Sequence, residues 1–251
     1  MNGTYLWKRF YQNLWTNGTL LSKKMITLFK DFLNLFFPDL CLACNSHLLN
    51  NEKIICSKCL FELPKTQFHT NPYNPVAMLF WGRTKIEMAT AFFYFNKGSK
   101  YQDMMHKFKY NGYKEIGLVL GEYLGVNITE SPFNNIDVII PVPLHKKKFK
   151  KRGYNQSLWI SKGLSQVLNK PIKTNILIRA IANTTQTKKS RYERWKNVDN
   201  IFTIENNQEI IGKHILLVDD VITTGSTLEA CANAILSVEN TKVSIATLAV
   251  A

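Results

Sequence analysis

Two adjacent carboxylates and a hydroxyl-rich turn stand together near the end of the sequence. Asp219 and Asp220 directly follow the apolar run Ile215–Val218, and the turn Thr223–Thr227 comes shortly after them. Adjacent carboxylates suit vicinal hydroxyls, or a divalent cation held beside a phosphate. A turn of small and hydroxyl residues at a helix start suits a phosphate, because free backbone N–H groups and the positive end of the helix dipole meet there. Together the two features predict a sugar-phosphate site.

The surrounding pattern places this stretch at one edge of a parallel sheet. Ile215–Val218 is typical of a strand buried on both faces, and from Leu228 to Val238 the apolar residues recur with a helical period. In open α/β sheets, ligands bind at the carboxyl ends of the strands. The alternative is an ordinary capped helix, since Ser226 and Glu229 also fit a capping box. The acidic pair directly after the strand favours the phosphate site.

Positive charge is concentrated in two stretches. The chain of 251 residues carries a formal net charge of +14, and most of it falls in Lys146–Arg152 and Lys188–Lys196. Concentrated cations point to a polyanionic ligand, either pyrophosphate or nucleic acid. Tyr154, Tyr192 and Trp195 interleave aromatic rings with these cations, which suits single-stranded DNA. A solvated basic face without a ligand is the third interpretation.

Four of the five cysteines form two closely spaced Cys-x-x-Cys pairs, Cys41 with Cys44 and Cys56 with Cys59. Two such pairs bring four thiolates to one tetrahedral Zn²⁺, which predicts a structural rather than a catalytic metal. A thiol redox centre is the alternative. We find no secretory signal and no apolar run long enough to span a membrane, so a cytoplasmic protein is expected.

The sequence divides into three expected regions. Residues 1–37 form an N-terminal segment, 38–64 the zinc ribbon, and 83–251 a large α/β domain. Between the last two, the proline-containing stretch 63–82 is expected to be a linker with one apolar contact.

The N-terminal segment contains an amphipathic helix, Leu21–Phe36, whose apolar stripe follows helical spacing. The stripe docks on the protein's own core or, alternatively, on a membrane surface or a partner. Met25 is an alternative translation start, in which case residues 1–24 are not native.

Periodicity and turn residues predict the remaining elements. The expected strands are 91–95, 137–143, 176–181, 201–204 and 243–250, the expected helices are 100–110, 113–124 and 155–168, and the expected functional loops are 144–153 and 182–200.

The ordered set of motifs resembles the ComF family, in its ComFC/GntX-like group. The motifs are, in order, the double Cys-x-x-Cys, Pro141–His145, Arg152–Gln156, Thr185 and Gln186 with Arg191 and Arg194, and Leu217–Thr227. The resemblance implies a double zinc ribbon joined to a Rossmann-like parallel sheet of the type I phosphoribosyltransferase kind. It also implies a role in natural transformation, with single-stranded DNA and other DNA-uptake proteins as partners.

The resemblance also implies roles for individual residues. Asp219 and Asp220 would bind the ribose hydroxyls of phosphoribosyl pyrophosphate, accompanied by Mg²⁺. Its 5′-phosphate would bind at the turn, that is at Thr223, Thr224, Gly225, Ser226 and Thr227. Its pyrophosphate would face a basic loop with Lys147, Lys148, Lys151 and Arg152. A flexible loop would contribute Gln186, Arg191 and Arg194. Lysines stand at two positions of the basic loop where arginines are common in the family, and lysine lacks the planar fork for bidentate phosphate contacts.

Two functional hypotheses stay open from the sequence. The protein is an enzyme that transfers a phosphoribosyl group, or a non-catalytic single-stranded-DNA-binding protein that senses phosphoribosyl pyrophosphate. No residue that reads an acceptor base stands out. His106 and His145 are candidates for a general base by position only.

Overall fold

The computed structural model describes residues 38–179 and 201–251. The helix expected at Leu21–Phe36 and the loop residues Gln186, Arg191 and Arg194 lie outside these ranges. The chain divides into two compact units, residues 1–56 and 57–251. The domain boundaries expected from the sequence stay a prediction.

The larger unit is built on a four-stranded sheet with the order β1-β6-β5-β2, in which every neighbouring pair is parallel. The strands are β1 (Met88–Tyr94), β2 (Val138–Pro141), β5 (His214–Ile222) and β6 (Lys242–Val250). In register, Val218 of β5 lies between Pro141 of β2 and Ala246 of β6. The parallel sheet expected from the sequence is therefore confirmed.

Two further strands form a separate antiparallel pair, β3 (Leu177–Arg179) with β4 (Phe202–Ile204). Both were expected as strands, and each begins one residue later than expected. They lie on either side of the second expected functional loop in the sequence, so that loop connects an antiparallel pair rather than strands of the main sheet.

The helices are α1 (Ser57–Phe61), α2 (Pro75–Met78), α3 (Lys100–Tyr110), α4 (Glu115–Thr129), α5 (Lys146–Arg152), α6 (Gln156–Leu168) and α7 (Ser226–Leu236). Short 3-10 turns occur at Phe68–Thr70, Pro132–Asn135 and Asn207–Glu209. Among the helices in the described ranges, none has both the length and the apolar character needed to cross a bilayer.

Strand β5 is buried as its composition predicts. The side chains of Ile215–Val218 are fully inaccessible to solvent. Helix α7 packs on the same core through Leu228, Cys231 and Ile235. The strand–turn–helix unit expected from the sequence is thus fixed rigidly, since both of its ends lie in one apolar cluster.

The segment expected to be a linker is instead packed into the core. Asn74 is buried, caps α2 by accepting from the backbone N–H groups of Val76 and Ala77, and donates to the carbonyl of Ala89 in β1. Phe80 is fully buried. The linker prediction is wrong, because Pro75 occupies the first turn of a helix, where its missing N–H costs nothing.

Helices α4 and α6 approach each other closely through glycines. On α4, Gly117, Gly121 and Gly125 share one face, and Gly163 of α6 lies against it. A Cβ atom at Gly163 would overlap the carbonyl oxygen of Leu118 and lie 2.6 Å from the backbone nitrogen of Glu122. This packing fixes α6, whose first turn reaches the candidate site.

The expected basic loop 144–153 is mostly a helix, α5. His145 accepts a hydrogen bond at Nδ1 from the backbone N–H of Lys147 (3.2 Å), and Gly153 ends the helix with a φ of +79°. Lysine and arginine are good helix formers, and cations near a helix C-terminus interact favourably with its dipole. The loop prediction is wrong because His145 caps the start of a helix here and Gly153 ends it.

Candidate functional site

The acidic pair lies inside strand β5, which continues past Val218 to Ile222. Asp219 pairs in register with Thr247 of β6, beyond the point where the β2 pairing ends. Asp219 and Asp220 are residues of intermediate exposure, whereas the preceding strand residues are buried. The pair therefore stands at the carboxyl edge of the sheet, where the sequence placed it.

Asp219 is held by the first turn of α6. Its Oδ1 accepts hydrogen bonds from the Ser157 hydroxyl and the backbone N–H of Asp220, both at 2.9 Å. Asn155 caps α6 and donates to the carbonyl of Val142 (3.0 Å), which ties the helix to the end of β2. Burial raises the pKa of Asp219 to about 7, and the negative charge of Asp220 adds to this rise.

Asp220 is held by a cation from a distant helix. Its Oδ1 accepts from the backbone N–H of Val221 (2.7 Å), and its Oδ2 lies 3.2 Å from Lys109 Nζ of α3. Sequence reasoning missed Lys109 and Ser157. Both residues lie in helices that the sequence predicts, but helical spacing does not show which strand residue a given side chain contacts.

The hydroxyl-rich turn presents unused donors. Within the described part of the chain, the backbone N–H groups of residues 223–227 make no hydrogen bond. Gly225 has a φ of +75°, and the hydroxyls of Thr224 and Ser226 lie 3.0 Å apart on the exposed side. Free amides at the start of an eleven-residue helix form an anion-binding geometry.

The capped-helix alternative does not fit this turn. Gly225 occupies the N-cap position, and no side chain caps the helix. Glu229, the expected partner in a capping box, forms an ion pair with Arg83 instead. Arg83 also donates to the carbonyl of Thr224 (3.2 Å), and Phe80 packs beneath Gly225. These contacts support the turn from behind and leave its amides free.

The cations expected to face pyrophosphate lie on α5. Lys147, Lys148 and Lys151 are exposed, whereas Arg152 is partly buried and donates to Gln156 Oε1 (2.9 Å). The hydrogen bond from Arg152 lowers the pKa of Tyr110. Gln156 itself is buried, and its Nε2 amide has no partner among the described residues. Because β2 and β5 are neighbours, α5 follows the same sheet edge that bears the acidic pair.

The contacts of the two histidine candidates do not support a role as a general base. His145 accepts a backbone hydrogen bond at the start of α5. His106 is exposed and contacts the ring of Tyr110, with centroids 4.9 Å apart. Neither contact involves a carboxylate that would orient the imidazole as a base.

The four cysteines of the double motif come together. Their Sγ atoms all lie within 4.8 Å of one another, and those of Cys44 and Cys56 are 3.7 Å apart. Tetrahedral Zn–S bonds of about 2.3 Å require sulfur–sulfur distances of about 3.8 Å, so the residues present fit a metal site. The backbone N–H of Cys56 donates to Cys41 Sγ (3.3 Å), which holds that sulfur in place within the cluster.

A separate surface groove of about 670 Å³ lies at the other end of α7. Its lining includes Ile204, Ile211 and Ser237, and it contains none of the residues expected at the site. Its openness to solvent and its lack of a titratable cluster favour the turn and the acidic pair as the functional site.

Comparisons with known proteins fit this geometry. A family model described as "Phosphoribosyl transferase domain" matches residues 156–250, the stretch from α6 to β6. "Competence protein F" of Haemophilus influenzae is 42% identical over 37% of this chain and 41% of its own length. "DNA utilization protein YhgH" of Escherichia coli strain K12 is 31% identical over 53% of this chain and 60% of its own.

A third relative matches over more of the chain. "Competence protein ComFC" of Bacillus subtilis is 28% identical over 78% of this chain and 88% of its own length. The alignments with the other two relatives cover less than two thirds of those proteins.

Proposed function

We propose that this chain is a ComF-family protein, with an α/β domain of the type I phosphoribosyltransferase kind, and that it binds phosphoribosyl pyrophosphate. The observation that supports this most is the turn of unused backbone amides beside a carboxylate whose pKa is raised to about 7. Such a combination of a perturbed acid and an anion site is typical of functional rather than structural clusters.

Each part of the site has one task in this proposal. The amides and hydroxyls of Thr223–Thr227 bind the 5′-phosphate, and Asp219 and Asp220 accept hydrogen bonds from the ribose hydroxyls. The cations of α5 neutralise the pyrophosphate. Mg²⁺ that arrives with the ligand supplies further positive charge at the pyrophosphate. In a transfer reaction, the bond from the anomeric carbon to pyrophosphate breaks, and the acceptor's nitrogen forms the new bond.

The names of the relatives support a role in DNA handling. They are called competence and DNA utilization proteins, so we extend the proposal to DNA uptake in natural transformation, with other DNA-uptake proteins as partners. We also propose a cytoplasmic location, because a cluster of four cysteines that could hold a metal ion is typical of a compartment that keeps thiols reduced. Peripheral membrane association depends on the N-terminal helix and stays a prediction.

Isothermal titration with Mg²⁺ and phosphoribosyl pyrophosphate tests the binding proposal. The double variant Asp219→Asn with Asp220→Asn is expected to lose at least about 100-fold in affinity, because two hydrogen bonds to charged groups contribute about 1.5–3 kcal/mol each. Asp103→Asn, an exposed acid on α3, is the control and keeps wild-type affinity. An unchanged affinity in the double variant would remove the assignment.

The second candidate, single-stranded-DNA binding without catalysis, rests on the surface of α5. Exposed Phe149 and Tyr110 stand among its cations, as stacking platforms for bases do. The same double variant separates the candidates, since DNA binding at α5 would survive it and weaken with salt. Release of pyrophosphate with a panel of bases then decides whether transfer occurs.

We assign the cysteine cluster to a structural Zn²⁺. Elemental analysis of protein purified without chelator is expected to give one zinc per chain. Cys44→Ser should lower that content and unfold the region around the cluster, because metal binding supplies much of the folding energy of so small a module. A zinc content near zero in the wild-type protein would refute the assignment.

A further inference from the structure

Among the described residues, Lys109 is the cation that forms an ion pair with the acidic pair. Its Nζ lies 3.2 Å from Asp220 Oδ2, and the two side chains are 23% and 14% exposed. Asp220 Oδ1 and Asp219 Oδ1 accept bonds within the protein. Of the four carboxylate oxygens of the pair, Asp219 Oδ2 is the one that accepts no hydrogen bond and no ion pair from the described residues. A ligand hydroxyl that is to reach Asp220 must therefore displace Lys109 or share its carboxylate.

The segment that carries Lys109 also contacts the basic end of α5. The Tyr154 hydroxyl donates to the carbonyl of Phe108. The Tyr110 ring centroid lies 5.1 Å from Lys151 Nζ and 5.3 Å from Arg152 Cζ. The segment that carries Lys109 thus reaches both the carboxylates and the last cations of α5, which under the proposed function face a bound pyrophosphate.

We propose that Lys109 is a displaceable counter-cation that sets the preference for ribose carrying a pyrophosphate over ribose carrying only the 5′-phosphate. In the free protein it neutralises Asp220. When ribose hydroxyls take that carboxylate, the ammonium turns to an oxygen of the pyrophosphate. This inference rests on the proposed function, because it concerns the same ligand at the same site.

The exchange follows from the chemistry of lysine. Its ammonium is a compact charge on a flexible stem, so it can move between two anions without moving α3. Both contacts are charge-assisted, but a pyrophosphate carries more negative charge than one carboxylate, and the ribose hydroxyls replace the ammonium at Asp220, so the movement is favoured once the pyrophosphate is present. Ribose that carries only the 5′-phosphate offers Lys109 no second anion. Its hydroxyls then only compete with the Lys109 ammonium for Asp220.

Titration of the wild-type chain with phosphoribosyl pyrophosphate and with ribose 5-phosphate, both with Mg²⁺, tests this role. In Lys109→Met we expect affinity for phosphoribosyl pyrophosphate to fall about 10-fold, the loss of one charge-assisted bond. Affinity for ribose 5-phosphate should stay the same or rise. Lys109→Arg should keep the wild-type preference. Lys97→Met, which removes an exposed charge after β1, is the matched control.

The outcomes separate this inference from the proposed function. If the wild-type chain binds neither ligand, both fail. If it binds phosphoribosyl pyrophosphate but Lys109→Met keeps the preference, or loses both ligands equally, only the role of Lys109 is overturned. Thermal melting checks that each variant is folded, and Lys109→Gln replaces the methionine variant if that one is not.

Discussion

Replacing Gly163 with alanine is expected to lower the free energy of unfolding by at least about 3 kcal/mol. The new Cβ would overlap the backbone of α4 at Leu118 and Glu122, and backbone atoms have no rotamer by which to move aside. In an open helix the same change would stabilise the protein by about 1 kcal/mol, so a loss isolates the packing effect. Thermal unfolding should show a fall of roughly 6–12 °C.

Gly98→Ala is the control for that variant. At Gly98 the φ of +77° also favours glycine, but a Cβ atom there would contact nothing within 4 Å. It should cost only about 1 kcal/mol, the strain of a left-handed residue. Because α6 carries Ser157, the Gly163→Ala protein should also bind phosphoribosyl pyrophosphate less tightly. Equal stability of the two variants would mean that the helices can separate without cost.

The parts of the fold that depend on local pattern could be predicted from the sequence. Apolar runs bounded by turn residues gave the strands of the main sheet, and helical spacing gave α3, α6 and α7. The acidic pair and the turn were found because their residues are adjacent in the chain. The cysteine pairs were found for the same reason, since metal-ligand spacing is short-range.

The rest depends on contacts between distant residues. Lys109 and Ser157 reach the site from two helices and Arg83 from a turn, and no local pattern shows which distant residue a polar side chain meets. The packing of Phe80 under Gly225 was missed because neighbouring prolines suggested a linker. The helix α5 was missed because its run of cations suggested a ligand-binding loop. The helix has only seven residues, and it is marked in the sequence only by His145 at its start and Gly153 at its end.

The contact between Ser157 and Asp219 shows how the fold prepares a carboxylate for a ligand. The hydroxyl orients Asp219, while the sheet and α6 withdraw it from water. Within the described part of the protein the charge of Asp219 is only partly compensated, because its hydrogen bonds come from neutral donors and the ion pair with Lys109 is made by Asp220. A ligand that brings hydroxyl donors would complete that compensation, so the site is less stable empty than occupied.

The variant Asp219→Asn is therefore expected to be more stable than the wild-type chain at pH 8, although it loses ligand affinity. The pKa of Asp219 is about 7 in the folded protein and near 3.8 in the unfolded chain, so the folded state holds an extra proton between these values. Wild-type stability falls as pH rises through that window, by on the order of 2–4 kcal/mol for this group. Asparagine keeps the acceptor oxygen for Ser157 and carries no charge.

Urea unfolding of both proteins from pH 4 to pH 8 measures the effect. The stability of Asp219→Asn relative to wild type should be near zero at pH 4, grow through pH 5 to 7, and level off above pH 7. Asp103→Asn, at an exposed acid, should show no such rise. A difference that is constant with pH would mean that Asp219 is ionised in the fold without cost. The raised pKa of Asp219 would then be wrong, and the unused amides of the turn would remain as the support for a functional site.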